Sequence, residues 1–322
     1  MEIIGNQNIR DTITKLPKAR KRKKFTGFQW KLLLLIMPFM LFMIAFSYIP
    51  VLGWSMAFVD YSPGMNIFKC TFVGLTNFVK IFNSTSDFPQ VMLNTLVMSF
   101  LGIALSPLPA ILAIMLMEIR QKAFRRVLQT ISSLPNFISW VIVYGIALTF
   151  FSRDDGLVNH ILLGTGLIKD PLNVLGNNDI VWYFQTAMSI WKGTGWTAII
   201  YLGAIAGIDS ELYEAAQVDG AGRMQQIVHI TVPGLIPTFV IMLLLSVGAL
   251  LSGTSFEQIY CFNNPLVLNH IQTLDLYVYF QGIGHMNYSY STAVGIFKTA
   301  ISVFLLFGCN AFSRKAAGYS II

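Results

Sequence analysis

The sequence predicts an all-α integral membrane protein with six transmembrane helices and both termini on the cytoplasmic side. Three observations carry that prediction. Apolar residues make up 55% of the 322 residues and charged residues 11%, against about 25% charge in soluble domains. Several uncharged apolar stretches reach the ~20 residues needed to cross a bilayer. The Lys and Arg residues gather on alternate loops, the bias that sets orientation in a membrane. A net charge of +7 would suggest a nucleic-acid partner in a soluble protein. Here the basic residues sit beside apolar runs, so topology explains them and no nucleic acid is expected.

Residues 1–31 form a polar tail containing the basic run Lys18-Ala19-Arg20-Lys21-Arg22-Lys23-Lys24, read as a cytoplasmic anchor at the lipid headgroups. Leu32 to about Val59 exceeds the roughly 7–15 residues of a signal-peptide core. It is read as a retained first span, bent or broken near Pro38 and Pro50. A loop follows over 60–90, with Tyr61-Ser62-Pro63-Gly64 as a turn. The second span runs from about Val91 to Met117 and contains Pro107 and Pro109, breaks that membrane helices tolerate when neighbours re-satisfy the backbone. A short loop over 118–126 is basic, and a third span lies within Val127 to Phe151, entered through Leu134-Pro135.

Residues 152–181 are polar, with a short surface helix expected between Gly156 and Leu167. Trp182 to Ile208 is the fourth span, about Gly234 to Gly253 the fifth and about Ser291 to Phe312 the sixth, closed by Arg314 and Lys315. The membrane domain is thus 32–315, with a cytoplasmic tail over 316–322. The N-terminal tail, the 118–126 loop, Arg223 and the final pair take most of the 22 Lys and Arg, and the opposite side keeps Lys69, Lys80, Arg153 and Lys169. Lys192 and Lys298 fall inside spans.

A polar island over 209–233 separates the fourth and fifth spans. Asp209 or Ser210 caps a short helix, with Glu211 in its first turn, where negative charge suits the helix dipole. Ala215 and Ala216 leave one side smooth. Asp219-Gly220-Ala221-Gly222 is turn chemistry. A second short helix follows, and Pro233 opens the next span where a missing N–H costs least. An ordinary loop between membrane helices would need no more than this.

Several enzyme classes are excluded. The chain has no Gly-x-x-x-x-Gly-Lys-[Ser/Thr] phosphate loop, Gly-x-Ser-x-Gly elbow or His-Glu-x-x-His helix, and no catalytic residues are assigned. Glu118, Asp209 and Glu257 sit at span ends, not mid-span where ion-coupled carriers place acids. His229, His270 and His285 lack ligand spacing, so no metal site is expected. Cys70, Cys261 and Cys309 show no metal pattern; Cys70 and Cys261 share the outer side, and whether they pair stays open. Active transport would take its energy from a partner, with the island as the handle.

At this point the residues match a family. Glu214-Ala215-Ala216, three residues, Gly220, nine residues, Ile230, one residue and Val232-Pro233 resemble the E-A-A-x3-G-x9-I-x-L-P loop of ABC-importer permeases. Val232, where the family usually has Leu, is the one departure and a conservative one. Ser47-Tyr48-Ile49-Pro50, Phe72 to Phe78, Asn94-Thr95, Leu134 to Trp140 and Gly156-Leu157-Val158-Asn159 resemble the carbohydrate branch, more narrowly its polysaccharide and complex-oligosaccharide permeases. The resemblance implies a type I permease fold in a bacterial cell membrane, forming half of a pathway for an oligosaccharide. It implies a second homologous permease, two ATP-binding-cassette ATPases that bind the ATP and Mg, and an extracellular solute-binding protein. This chain itself then needs no cofactor. Glu214, Ala215, Ala216, Asp219, Gly220, Ile230 and Pro233 would couple it to the ATPase.

Sugars are gripped by aromatic faces and by amides and hydroxyls. Trp191, Thr194, Trp196 and Tyr201 on the fourth span, Ser246 and Ser252 on the fifth, and Lys298 on the sixth are candidates, with Lys192 beside them. The aromatic residues equally suit an interfacial belt or helix packing. A Lys at mid-span costs ~2.5–3.5 kcal/mol on insertion scales. At least one of Lys192 and Lys298 is therefore expected to face the pore, which would favour an acidic, uronate-type cargo. A stand-alone six-helix carrier or channel is the competing reading, separated by flux in partner-free liposomes.

Overall fold

A computed structural model describes residues 27–83, 87–252 and 255–317. They are helical apart from turns, loops and one isolated antiparallel bridge between Val59 and Phe72, as expected for an all-α chain. The basic run 18–24 and residues 318–322 lie outside the described residues. The chain divides into two units, Met1–Gly53 and Trp54–Ile322.

In the first unit, α1 (Gly27–Met43) passes into a π-helical turn, Ile44–Tyr48, and then a 3-10 stretch that begins at Ile49. The predicted break at Pro38 is absent, because α1 winds through it. The irregularity expected near Pro50 is present, as the π turn just before it, where a missing N–H removes a rung of the helix. From Trp30 to Leu52 every side chain is exposed, an apolar surface fit for lipid.

In the second unit, α2 (Phe88–Ala104) and α3 (Leu108–Met117) are separated by a turn at 105–107, the break that the two prolines predict. The third span is not one helix. α4 (Lys122–Ser133), a 3-10 turn Leu134–Phe137 and α5 (Trp140–Phe151) follow one another, with a bend of 102° between Lys122–Phe137 and Trp140–Phe151. Pro135 denies the first half a donor. Ser139 starts the second half afresh, its side chain accepting from the Ile142 amide at 3.5 Å. The expected surface helix is present as Leu157–Gly164.

α6 (Val181–Ala206), α7 (Ser210–Val218), α8 (Val232–Gly248) and α9 (Tyr288–Ala317) complete the main helices. Among the described residues four helices are long and apolar enough to cross a membrane, or five if the bent pair is one span. With 26 residues, α6 extends about 39 Å at 1.5 Å per residue. Its Lys, Trp, Thr and Gly content makes it less apolar than those four.

α6 packs against α2, α3, α4 and α8, and its closest approach is at Gly195. A Cβ there would lie 1.9 Å from the Ser132 carbonyl oxygen. The Ser133 hydroxyl donates to the Gly195 carbonyl at 3.2 Å. Since the obstacle is backbone, it cannot rotate away. Gly195→Ala is expected to cost about 1–3 kcal/mol through overpacking, read as a lower midpoint in thermal unfolding of the purified protein; an unchanged midpoint would contradict the close packing.

Candidate functional site

The polar island folds as a helix, a sharp turn and a second helix. Asp209 is the cap, its side chain accepting from the Glu211 amide at 3.0 Å. α7 closes with Gly220 at φ +78°, where the Ala221 amide donates to the Ala216 carbonyl at 2.8 Å and the Gly220 amide to Gln217 at 3.1 Å. Paired bonds of this kind around a left-handed glycine form a Schellman close. The Gly222 amide then donates to the Gln225 side chain at 2.7 Å, starting the helix Arg223–Gln226.

The sequence places Pro233 at the start of a separate span; the structure corrects this. Helical winding runs from Arg223 through a π turn, Ile227–Thr231, into α8. The wider turn sits just before Pro233 and takes up the irregularity that a residue without an N–H imposes. The island is therefore continuous with α8, with Ile230 inside the π turn. The Tyr213 and Thr231 hydroxyls, 2.9 Å apart, tie α7 to the same turn.

Glu214 and Ala215 are exposed on α7, with Leu212 and Val218 also open. Ala216, Asp219, Gly220 and Ile230 line a notch of about 310 Å³ between the two short helices. Arg223 pairs with Glu118 at 3.7 Å. Both side chains are about half exposed, so the pair contributes little stability, but it places the island and the loop before α4 at one end of the bundle; that loop is 118–121 and not the predicted 118–126, because α4 already begins at Lys122.

A second feature is a cavity of about 370 Å³ where α2 and α3 break, enclosed by α6 and α8. Thr194, Tyr201 and Ser246 line it, together with Ser106, Gln185 and Ser189, which the sequence reading missed. Ile103, Phe239 and Met242 supply apolar walls. Thr194 donates to Ile190 at 2.6 Å and Ser246 to Met242 at 2.9 Å. Hydroxyls that have donated back to their own helix keep lone pairs free to accept from a ligand. No charged residue lines the cavity among those described.

Trp191, Lys192, Trp196 and Lys298 are not brought to this cavity. Trp191 and Trp196 stand exposed on α6, Trp196 edge-on to Phe137 at 5.5 Å. Lys192 donates to the Asn136 carbonyl at 2.8 Å and lies 5.4 Å from the centre of the Trp140 ring. It thereby satisfies a carbonyl freed where the third span breaks. Lys298 is paired with Asp275. Each cation is held by the fold, which explains how it is tolerated within an apolar stretch. Cys70, Cys261 and Cys309 are free thiols, and burial together with nearby Glu257 pushes the Cys261 thiol up. No group of His, Cys, Asp and Glu that could hold a metal occurs among the described residues.

At the end away from the island, the segment 256–276 roofs the bundle. Ile259, Phe262, Val267 and Ile271 pack with Met98, Trp140 and Val181. Gln258, fully buried, donates to both the backbone and the side-chain oxygen of Gln185 at 2.8 Å. Five buried side-chain atoms have no protein partner among the described residues: Ser106 Oγ at the cavity, then Gln258 Oε1, Asn263 Oδ1, His270 Nδ1 and Thr273 Oγ1. Four of the five fall within one short stretch of the roof.

The described residues thus combine helices apolar enough to cross a membrane, a polar cavity at a broken helix and an exposed loop at one end of the bundle. Residues 105–317 match the model of the family described as binding-protein-dependent transport system inner membrane component. Protein LplB of Bacillus subtilis (strain 168) is 39% identical over 298 residues, 92% of this chain and 91% of that protein. The polygalacturonan/rhamnogalacturonan transport system permease protein YteP of the same organism is 36% identical over 307 residues, 95% and 94% of the two chains. The structure is also similar to a bacterial alginate ABC transporter in complex with an alginate pentasaccharide-bound periplasmic protein. Its TM-score is 0.82 at 33% identity over 91% of this chain and 96% of that one. The chain belongs to the family of binding-protein-dependent inner-membrane transport components: it is an ABC-importer permease with the type I fold, a transport subunit whose ATP hydrolysis lies with separate subunits.

Proposed function

We propose that this permease forms half of the pathway of a bacterial importer for an oligosaccharide, with uronate-containing chains as the preferred cargo. The observation that carries the reading is the neutral, hydroxyl- and amide-lined cavity beside apolar walls, the surface a polyhydroxylated ring needs. The acidic preference rests on the alginate and polygalacturonan named for similar proteins. The complex comprises a second homologous permease, two ATPases with their ATP and Mg, and an external binding protein. The chain crosses the membrane six times with both termini in the cytoplasm. Its broken third span and α6 join the four long apolar helices, and the Glu118–Arg223 pair supports one side for both inner loops.

Coupling runs through the island. Glu214, Ala215 and Ala216 face the ATPase, Asp219 and Gly220 form the turn, and Ile230 and Pro233 join the loop to α8 without slack. The test is ATP- and binding-protein-dependent uptake by the reconstituted complex, comparing uronate with neutral oligomers; no uptake of either would overturn the reading. With both lysines held by the fold, Lys192→Gln is expected to lower uptake of both cargoes alike, leaving their ratio within about twofold. A ratio shifted tenfold, about 1.4 kcal/mol, would place Lys192 in contact with cargo.

A further inference from the structure

α4 carries a charge pattern that neither the cavity nor the island uses. It rises from the island end beside α6: Ser132 and Ser133 meet Gly195, eleven positions before α6 ends at Ala206, or about 17 Å along the axis. Its polar side faces the bundle, where Ser133 is buried and Gln129 and Ser132 are half-buried. Its apolar side faces out: Phe124, Val127, Ile131 and Leu134, at steps of three and four, are each more than half exposed. That stripe is about 15 Å long, half of a ~30 Å hydrocarbon core. At its foot Arg120, Lys122 and Arg126 are exposed. Glu118, the nearest acid in sequence, is taken by Arg223. Among the described residues none of the three cations pairs with a carboxylate.

We propose that this face is a binding site for one anionic phospholipid of the cytoplasmic leaflet, its phosphate held by Arg120, Lys122 and Arg126 and an acyl chain laid along the apolar stripe. The inference rests on the membrane orientation proposed above and not on the cargo. Surface and ligand match in both length and sign. A phosphodiester accepts charge-assisted hydrogen bonds, and the planar fork of Arg meets two of its oxygens at once. Basic groups just inside the membrane gain most against an anionic leaflet. The stripe ends where the chain turns at Leu134-Pro135, one leaflet deep, which is the reach of one acyl chain. Orientation alone requires Lys and Arg on the inner loops, but not an unpaired trio at the foot of an outward apolar stripe. An acidic surface of the ATPase would match the cations and not the stripe.

The test uses the purified complex, with its ATPases and second permease, equilibrated in detergent with equal amounts of dioleoyl phosphatidylglycerol and dioleoyl phosphatidylcholine, whose chains are identical. Mass spectrometry of the washed complex counts the lipids retained. The unsubstituted complex is expected to enrich phosphatidylglycerol at least tenfold, equivalent to about 1.4 kcal/mol. Excess soluble glycerol phosphate, a headgroup without a tail, is expected not to displace it; displacement would make this a site for free phosphate and overturn the lipid. The combined variant Arg120→Gln, Lys122→Gln and Arg126→Gln is expected to lose the enrichment and keep its phosphatidylcholine. Phe124→Ser with Ile131→Ser is expected to lower retained phosphatidylglycerol several-fold with the cations in place. Equal retention of both lipids by the unsubstituted complex, or full enrichment in the triple variant, would overturn the site. Loss of the ATPases from the triple variant with the enrichment intact would assign the cations to the ATPase instead. Where the triple variant does not assemble, the single exposed change Arg126→Gln is expected to lower the enrichment about threefold, and an unchanged value overturns the site. Uptake by the unsubstituted complex is measured separately, so failure of the importer reading and failure of the lipid site are told apart.

Discussion

Replacing Gly220 with Pro is expected to abolish cargo-stimulated ATP hydrolysis and uptake by the reconstituted complex, lowering both by about 100-fold or more. The residue sits at φ +78°, a region a pyrrolidine ring near −65° cannot enter. Pro also removes the amide that donates to Gln217 at 3.1 Å, so the turn must open and α7 lose its relation to the π turn. A Pro in this setting costs ~3 kcal/mol or more, and about 2.7 kcal/mol is already two orders of magnitude. Gly220→Ala separates backbone strain from crowding. A Cβ there meets nothing within 4 Å, so only the left-handed conformation is penalised, by about 1–2 kcal/mol, and a partial defect is expected. Glu214→Lys probes a different link: Glu214 is exposed, so its reversal should leave the island folded and weaken retention of the ATPase during purification. Full cargo-stimulated hydrolysis in both Gly220→Pro and Glu214→Lys would sink the coupling assignment.

The island is the most legible part of the chain because its chemistry is local. Capping by Asp209 and the glycine turn at 220 follow from residues within a few positions of each other, and so read directly from sequence. What Pro233 does is not local. Its effect reaches back through one helical turn, so that an expected fresh start is instead a π turn inside a continuous helix. The third span misleads for a related reason: hydropathy sums over a window and is blind to direction, so Leu134-Pro135 looks like an entry when it closes the first arm of a pair bent by 102° between Phe137 and Trp140. In the cavity, Thr186, Ser189, Gly193, Thr197 and Tyr201 recur at helical spacing along α6, a polar stripe that the order of residues already displays. The large rings of Trp191 and Trp196 mask it, although neither lies on that stripe. For the lysines, sequence supplies only their cost in lipid, whereas their partners, Asn136 and Asp275, lie 56 and 23 positions away. No spacing rule predicts contacts at that range.

Lys298→Met is expected to lower the amount of folded protein in the membrane substantially, and Asp275→Asn in the same chain to restore most of it. Lys298 lies well inside α9, bonded to Asp275 on the short helix Leu274–Tyr279, with side chains 15% and 30% exposed. Breaking a buried pair by removing one member costs ~3–5 kcal/mol, because the other charge remains without compensation; the exposure of Asp275 puts this case at the lower end. Replacing both members removes two desolvated charges together, which is often close to neutral. A charge that served cargo would behave otherwise: the double variant would fold yet fail to transport uronates. The measurement is folded yield and unfolding midpoint for the two single variants and the double one, with uptake of a uronate oligomer alongside. Recovery of both yield and uptake in the double variant assigns the pair to holding the segment after Thr273 against α9. Recovery of yield alone assigns Lys298 to the path of an acidic cargo, and the neutral cavity would then be an incomplete account of selectivity.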